Sequence, residues 1–584
     1  MRSKLFSHAL LLAVFLLLPI APFHAQTKCA NDKKLLNTLE AELAEDNAWL
    51  AKWCANSLSS ECQQQGPGFM QAIHYLNEEI AAQRQLVQLD CGLTPPPKQA
   101  FVRHSIFTLT PAQIASLRNG VLAMQSRPCD TTNPTDPTKC SPISWQYQAN
   151  IHGTGDTPVA PLWNQCQHGS FYFFSWHRMY LYFFERILRA ASGDPTLTLP
   201  YWNYTDDPNV QEPYQRQLPP PFWQPAIQCV PLNTPGCNPL FITERDPSMN
   251  NGTGFLYVGD VDYSAAFKYT NFEAPVGSGA FSFGGPERAN HATMHDDFGA
   301  LESTPHNVIH DDIGGWMSDP NRSANDPIFY LHHANIDRLW KRWLDQGAGR
   351  QNPTSDQVWM TTMFTFYDVT LDQNGQQIGK QVQLSGQQIL DTVSQLDYCY
   401  DDDPPCGIPA HPGAIPPITG AAIRPGTQEQ VVHELGSSST KVQLATEPVT
   451  VRIPLVPEAR RQMEAAGAPS AETKLLLSIE GITAEKIPDV HYQVFVGLPE
   501  GQKPDYKSVY FVGNLSFFGI PSHVSFDISN TVRELVKSKS LSSTELPVTF
   551  VMRWLEDRDG NPLPVPPGVR VQFTTMKISS VSPK

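Results

Sequence analysis

Asn325-Asp326-Pro327-Ile-Phe-Tyr-Leu-His332-His333-Ala-Asn-Ile-Asp337-Arg-Leu-Trp340 is the stretch on which the reading of this chain turns. Asn-Asp-Pro is a helix start, and the apolar run behind it predicts a helix to about Trp343 that carries two adjacent histidines. Neighbouring positions on a helix diverge by about 100°, so His332 and His333 cannot both face one metal ion. His333 and Asp337 lie four apart, which lets the carboxylate orient the imidazole or its neighbour. Upstream, His306 and His310 stand one helical turn apart, the way a helix offers two ligands to one ion. His291 and His295 have the same spacing, but only the later pair is followed by a histidine pair opening an apolar helix. Three more histidines, His152, His168 and His177, form a separate group, the last two in a loop-to-helix arrangement. Three imidazoles per ion leave open positions for an exogenous ligand. Two three-histidine groups without a helper carboxylate favour a copper pair over zinc.

The chain has 584 residues, too many for one ordinary core, so several domains are expected. It is 41% hydrophobic and 17% charged, a globular composition, and its 52 prolines imply long irregular connections. A formal charge of −15 argues against nucleic acid or an anionic membrane as partner. Arg2 and Lys4 precede an apolar run from Ala9 to Ile20, which reads as an export signal over 1–25 rather than a membrane anchor. Location is then secreted or periplasmic. Eleven cysteines in an exported chain should mostly pair. Cys129 with Cys140, Cys229 with Cys237 and Cys399 with Cys406 are short-range candidates. Cys29, Cys54, Cys62 and Cys91 bracket the N-terminal segment. These four allow three connectivities, of which the nested pairs Cys29–Cys91 and Cys54–Cys62 would staple a hairpin there, and Cys166 is left over.

Residues 26–92 read as a helical hairpin, with Leu36, Leu39, Leu43, Leu50 and Trp53 on one face and Phe69, Ile73, Leu76 and Ile80 on the other. Residues 93–350 carry the histidines on helices joined by long loops, Phe171 to Ala191 being apolar nearly all round. Residues 351–402 turn strand-like around Phe364–Asp368, and 403–430 read as a proline-rich linker. Beyond it the period is two: Val449, Val451 and Ile453; Tyr492, Val494 and Val496; Val524, Phe526 and Ile528; Val569, Val571 and Phe573. An antiparallel β-sandwich or barrel over 431–584 follows.

Cys166-x-His168, Phe173-Phe-Ser-Trp-His177-Arg, Glu302-x-x-Pro-His306-Asn307-x-x-His310 and Asp326-Pro-Ile-Phe-Tyr-Leu-His-His333-Ala-Asn-x-Asp337-Arg resemble the tyrosinase/polyphenol oxidase family of type 3 dicopper proteins. The motifs span most of 145–345, and Trp359, Phe364–Asp368 and Tyr398-Cys-Tyr400 resemble the middle segment of the plant-type enzymes. The resemblance implies a central four-helix bundle holding two copper ions, with dioxygen as co-substrate. His152, His168 and His177 would bind copper A; His306, His310 and His333, the second of its pair, would bind copper B. Plant enzymes carry a cysteine where this chain has Asp156. Cys166-Gln-His168 instead resembles the fungal and molluscan pattern, in which the cysteine sulfur is bonded to the histidine ring.

The same resemblance implies a function: ortho-hydroxylation of monophenols and oxidation of o-diphenols to o-quinones. A phenol with a pKa near 10 needs help to lose its proton. Glu302 and Asn307 resemble the pair that holds a proton-accepting water, and Asp311 adds an acceptor nearby. A C-terminal domain over the cleft implies latency. The aromatic loop Leu515–Ile520 is placed either to fill the cleft or to pack in the sandwich, and the linker is where an activating protease would cut. Small phenols are the expected partners. Alternatives are a catechol oxidase without monophenolase activity and a haemocyanin-like oxygen carrier, against which the absence of internal repeats counts.

Overall fold

The helical pieces around the histidines begin and end where their sequences dictate. Thr110 caps the helix Pro111–Ser126 through a reciprocal bond with Gln113, and Ser144 accepts from the Tyr147 amide to start Trp145–His152. The helix Phe173–Ser192 stops at Gly193, whose φ of 72° suits glycine. In Ile328–Asp345 the Asp326 carboxylate accepts the Ile328 amide at 3.0 Å and is itself gripped by Arg245. Glu302–Asn307 is a wide turn broken at Thr304, and it leads straight into the helix Val308–Ile313. Helices Phe173–Ser192 and Ile328–Asp345 pack on each other, with Pro111–Ser126 behind the first. Together with Trp145–His152 and Glu302–Ile313 they form the helical bundle.

This computed structural model describes residues 23–53, 100–205, 214–274, 282–288, 297–403, 430–466, 473–542, 544–565 and 569–583. The expected signal segment (in its first 22 residues), the second half of the N-terminal hairpin, the His291/His295 pair and almost all of the linker lie outside those residues. The helix Phe23–Trp53 is described by itself: Leu39 is buried, with Leu36 and Leu43 half-buried on the same face. No helix among the described residues is long and apolar enough to cross a membrane. Cys129–Cys140 and Cys229–Cys237 are bridged. Cys399 is also in a disulfide, but Cys54, Cys62, Cys91 and Cys406 lie outside the described residues.

Strands Met363–Leu371 and Gln377–Ser385 form a hairpin, and Tyr398–Tyr400 pairs in parallel with Phe101–Arg103. Besides a three-stranded sheet of Thr483–Ala484, Val571–Phe573 and Val442–Leu444, the C-terminal part is a sandwich of two four-stranded antiparallel sheets. One runs His523–Asp527, Lys474–Glu480, Thr575–Pro583, Gln430–Ser438; the other runs Phe511–Leu515, His491–Val496, Glu545–Arg553, Val449–Pro454. Alternation along His491–Val496 puts Tyr492, Val494 and Val496 on one face, yet His491 and Gln493 on the other are equally buried. That second, polar face docks on the helical bundle, so the sandwich and bundle form one compact unit.

Candidate metal centre

Two groups of buried imidazoles face each other inside the bundle. His152 ends its helix, His168 follows in a loop and His177 sits in the first turns of Phe173–Ser192; their ring centroids are 5.2–5.6 Å apart. In the second group His306 Nε2 and His310 Nε2 lie 3.3 and 3.4 Å from His333 Nε2. Three nitrogens bound about 2.0–2.1 Å from one ion at tetrahedral angles stand about 3.3 Å apart. The His177 and His333 rings stack at 4.4 Å and join the two groups.

The rings are held by their other nitrogens. Nδ1 of His152 faces the Pro320 carbonyl at 3.0 Å, Nδ1 of His177 the Phe173 carbonyl at 2.8 Å, and Nδ1 of His310 the Met317 carbonyl at 2.7 Å. Nδ1 of His306 meets the Asn307 side-chain oxygen at 2.7 Å. A carbonyl only accepts, so each of these Nδ1 atoms carries the proton and each Nε2 presents a bare lone pair. His177 Nε2 has no hydrogen-bond partner. Burial lowers the pKa of His177, His310 and His333 far below the usual range, and that of His306 to about 3. Neutral rings with convergent lone pairs are the form a metal ion takes up.

Of the paired histidines, His333 supplies the Nε2 within the close group of three. His332 also brings a ligand atom within 4.8 Å, but its Nδ1 bonds the Tyr204 hydroxyl at 2.8 Å and its ring stacks on His306. Cys166 is buried two residues before His168, and burial pushes its thiol pKa up. Glu302 is fully buried. One carboxylate oxygen accepts the Gly169 amide at 2.9 Å, the other has no partner, and burial holds its pKa well above the ordinary value.

Two sequence expectations need correction. Asp337 does not reach an imidazole: its carboxylate takes Arg178 at 2.6 Å, Tyr398 at 2.5 Å and Tyr400 at 2.6 Å, with Arg103 at 3.5 Å. Two buried guanidinium groups outbid a neutral ring for a carboxylate, so Asp337 positions the helix rather than the ligand. Asp311, expected as an acceptor near the metal groups, is taken up on one oxygen by the sandwich. Its Oδ2 accepts the Ser516 hydroxyl at 2.6 Å and the Phe517 amide at 2.9 Å, both from the sandwich.

That clamp delivers Phe518. Its ring stacks on His310 at 4.0 Å and stands edge-on to His306 and His168, spanning both groups. Phe517 turns the other way, onto Tyr492 in the sandwich core. Asn514 reinforces the dock by donating to the Thr304 hydroxyl at 3.2 Å. Beside Phe518, a cavity of about 760 Å³ is lined by His152, Cys166 and Pro320 on the bundle side and by Ile487 and Ile520 on the other.

Two facing groups of buried imidazoles in a helical bundle define a candidate metal-binding protein. Residues 142–346 match the model of the common central domain of tyrosinase, and 431–560 match a domain of unknown function. The chain is 30% identical over 508 residues to a tyrosinase of Hahella sp. (strain CCB-MM4), covering 77% of this chain and 96% of that one. It is 29% identical over 437 residues to a chloroplastic polyphenol oxidase of Malus domestica, covering 69% and 68%. The solved structure of latent apple tyrosinase aligns with a TM-score of 0.48 at 20% identity, over 84% of this chain and 98% of that one. The chain belongs to the tyrosinase/polyphenol oxidase family, whose members are oxidoreductases, and copper is the metal the family implies.

Proposed function

We propose that this chain uses dioxygen to hydroxylate monophenols at the ortho position and to oxidise o-diphenols to o-quinones, and that the C-terminal sandwich keeps it latent. The carrying observation is the pair of imidazole groups with Glu302 bonded to the Gly169 amide next to His168 in the chain and Phe518 laid across both. His152, His168 and His177 would hold one copper ion, and His306, His310 and His333 the other. Bound there, the copper pair supplies two-electron exchange between a phenol and dioxygen. For each monophenol one oxygen atom enters the ring and the other leaves as water.

The protein residues handle protons and access. A phenol must lose its proton near copper, and a carboxylate whose pKa is raised by burial is a better-matched acceptor than an exposed one. Glu302, directly or through a water, is that acceptor, while Asn307 fixes the His306 ring. A substrate ring would take the place of the Phe518 ring, so turnover requires the Leu515–Ile520 loop to leave. Cleavage in 403–430 by an activating protease after export would release it. Cys166 would be bonded through sulfur to a His168 ring carbon, the S–H and a ring C–H being lost as two electrons and two protons pass to dioxygen, and this would restrict that ligand.

Oxygen uptake by the copper-loaded chain, with a monophenol and with a diphenol, before and after proteolysis in 403–430, tests the reading. Turnover of both that rises on cleavage supports it. Diphenol turnover alone makes the chain a catechol oxidase, and reversible oxygen binding without turnover after cleavage makes it a carrier.

A further inference from the structure

Where the strand His491–Val496 meets the helix Val308–Ile313, three side chains form a group that phenol oxidation does not use. Asp260 closes the turn after Tyr257, Asp312 stands on the helix and His491 opens the strand. All three are fully buried, and one ligand-type atom from each lies within 4.8 Å of the others. His491 Nε2 is 2.9 Å from an Asp260 oxygen, and Nδ1 is 3.4 Å from an Asp312 oxygen. Asp312 follows His310 by two positions, about 200° round the helix, so the group faces away from the imidazole pair.

With both aspartates ionised, the charge does not balance with protein groups. Two carboxylates bring two negative charges, and His491 offers at most one positive. The nearby Arg216 is bound to Glu556 at 2.6 Å, and Arg553 donates to Gln493 at 2.8 Å. Asp311, next in the helix, is turned to Ser516 and Phe517. Asp260 Oδ2, both Asp312 oxygens and His491 Nδ1 have no hydrogen-bond partner. An imidazolium bridging the two carboxylates would satisfy one oxygen of Asp260 and reach one of Asp312, leaving the second oxygen of each buried without a partner. Buried carboxylates are stable when paired in full or when they coordinate a metal.

We propose that Asp260, Asp312 and His491 bind one divalent cation of the zinc type, which ties the helical bundle to the C-terminal sandwich. Two carboxylate oxygens and one imidazole nitrogen are a donor set zinc accepts, with a further position left for water. The two aspartates cancel the ion's charge, and a neutral His491 completes the set. The bundle contributes two ligands and the sandwich one, so neither part binds the ion alone.

The test counts metal rather than turnover, so it stands or falls separately from phenol oxidation. The full chain with its copper sites filled is equilibrated with Zn²⁺, desalted and analysed by inductively coupled plasma mass spectrometry, and in parallel with Co²⁺ for its visible ligand-field bands. The expected result is about one Zn²⁺ per chain beyond the copper. That ion, and the Co²⁺ bands, disappear in Asp260→Asn and in His491→Gln, with copper unchanged. Zinc retained equally by wild type and variants, or taken up only as copper is lost, overturns the proposal. If neither variant folds, the wild-type chain decides alone: no retained zinc and no Co²⁺ bands leave the bridging imidazolium as the state of this interface.

Discussion

The Phe518 ring lies nearly parallel to the His310 imidazole, with centroids 4.0 Å apart and planes 23° apart. Through this contact the sandwich covers a face of the second imidazole group, while Ser516 and Phe517 anchor the loop on Asp311. An aromatic contact of this kind is worth about 0.5–1.5 kcal/mol, and 1.4 kcal/mol is about tenfold in an equilibrium. Phe518→Ala should therefore raise diphenol turnover of the uncleaved chain by up to about tenfold. Phe517→Ala should instead lower stability by about 3–5 kcal/mol, since it empties core. Oxygen uptake and thermal unfolding of the two variants separate the roles. Equal activity gains in both would remove Phe518 as the specific block.

His332 and His333 should differ in what their loss removes. His333→Gln takes away the nitrogen standing 3.3 Å from His306 Nε2 and 3.4 Å from His310 Nε2. Copper content should fall by about half, with loss of oxygen uptake. His332→Gln loses only the Tyr204 bond and a stacked neighbour, so both ions should stay. Copper analysis of the two proteins decides, and a reversed pattern would make His332 the ligand.

What the sequence revealed was what local periodicity encodes. The His306/His310 spacing, the apolar helix through His333 and the alternating strands of the sandwich are all set by residues a few positions apart. What it hid was set by partners far along the chain. Asp337 is four residues from His333, which invited pairing, but Arg103 and Arg178 claim its carboxylate. Phe517 and Phe518 are both buried, and no pattern within Leu515–Ile520 tells sandwich core from docked interface. Nothing near His491 in sequence shows what buries it: its partner Asp260 lies 231 residues away.

Glu302→Gln should separate the two phenol reactions. The amide keeps the size of the side chain and can still accept the Gly169 amide, so the fold and the imidazole groups should persist. It cannot take up a phenol proton at neutral pH. Loss of a positioned base costs about 10²–10⁴-fold. Monophenol hydroxylation in the cleaved enzyme should drop by that order, while diphenol oxidation changes by no more than about fivefold. Initial rates on a matched monophenol and diphenol measure the ratio, and an unchanged ratio would remove Glu302 from the proton transfer.

The buried Asp337 network gives the fold a defined acid sensitivity. Burial alone would raise the Asp337 pKa, but Arg178 and then Arg103 outweigh it and hold it below the ordinary 3.8. Glu185 is likewise held below 4.5 by Arg103 and Arg189 against the effect of burial. Because the unfolded chain binds these protons more readily than the folded one, stability rises with pH across this range. The contribution is complete above the unfolded values and is lost as pH falls through the depressed folded ones. Asp337→Asn leaves Arg178 facing an amide, which should cost about 3–5 kcal/mol at pH 7. From about pH 3.8 downward Asp337 of the unfolded chain takes up its proton while the folded one stays ionised, so the gap between variant and wild type should shrink as pH falls toward the depressed folded value. Denaturant unfolding at pH 7, 5, 4 and 3 follows that convergence, and a gap independent of pH would mean that packing, not charge, is what Asp337 supplies.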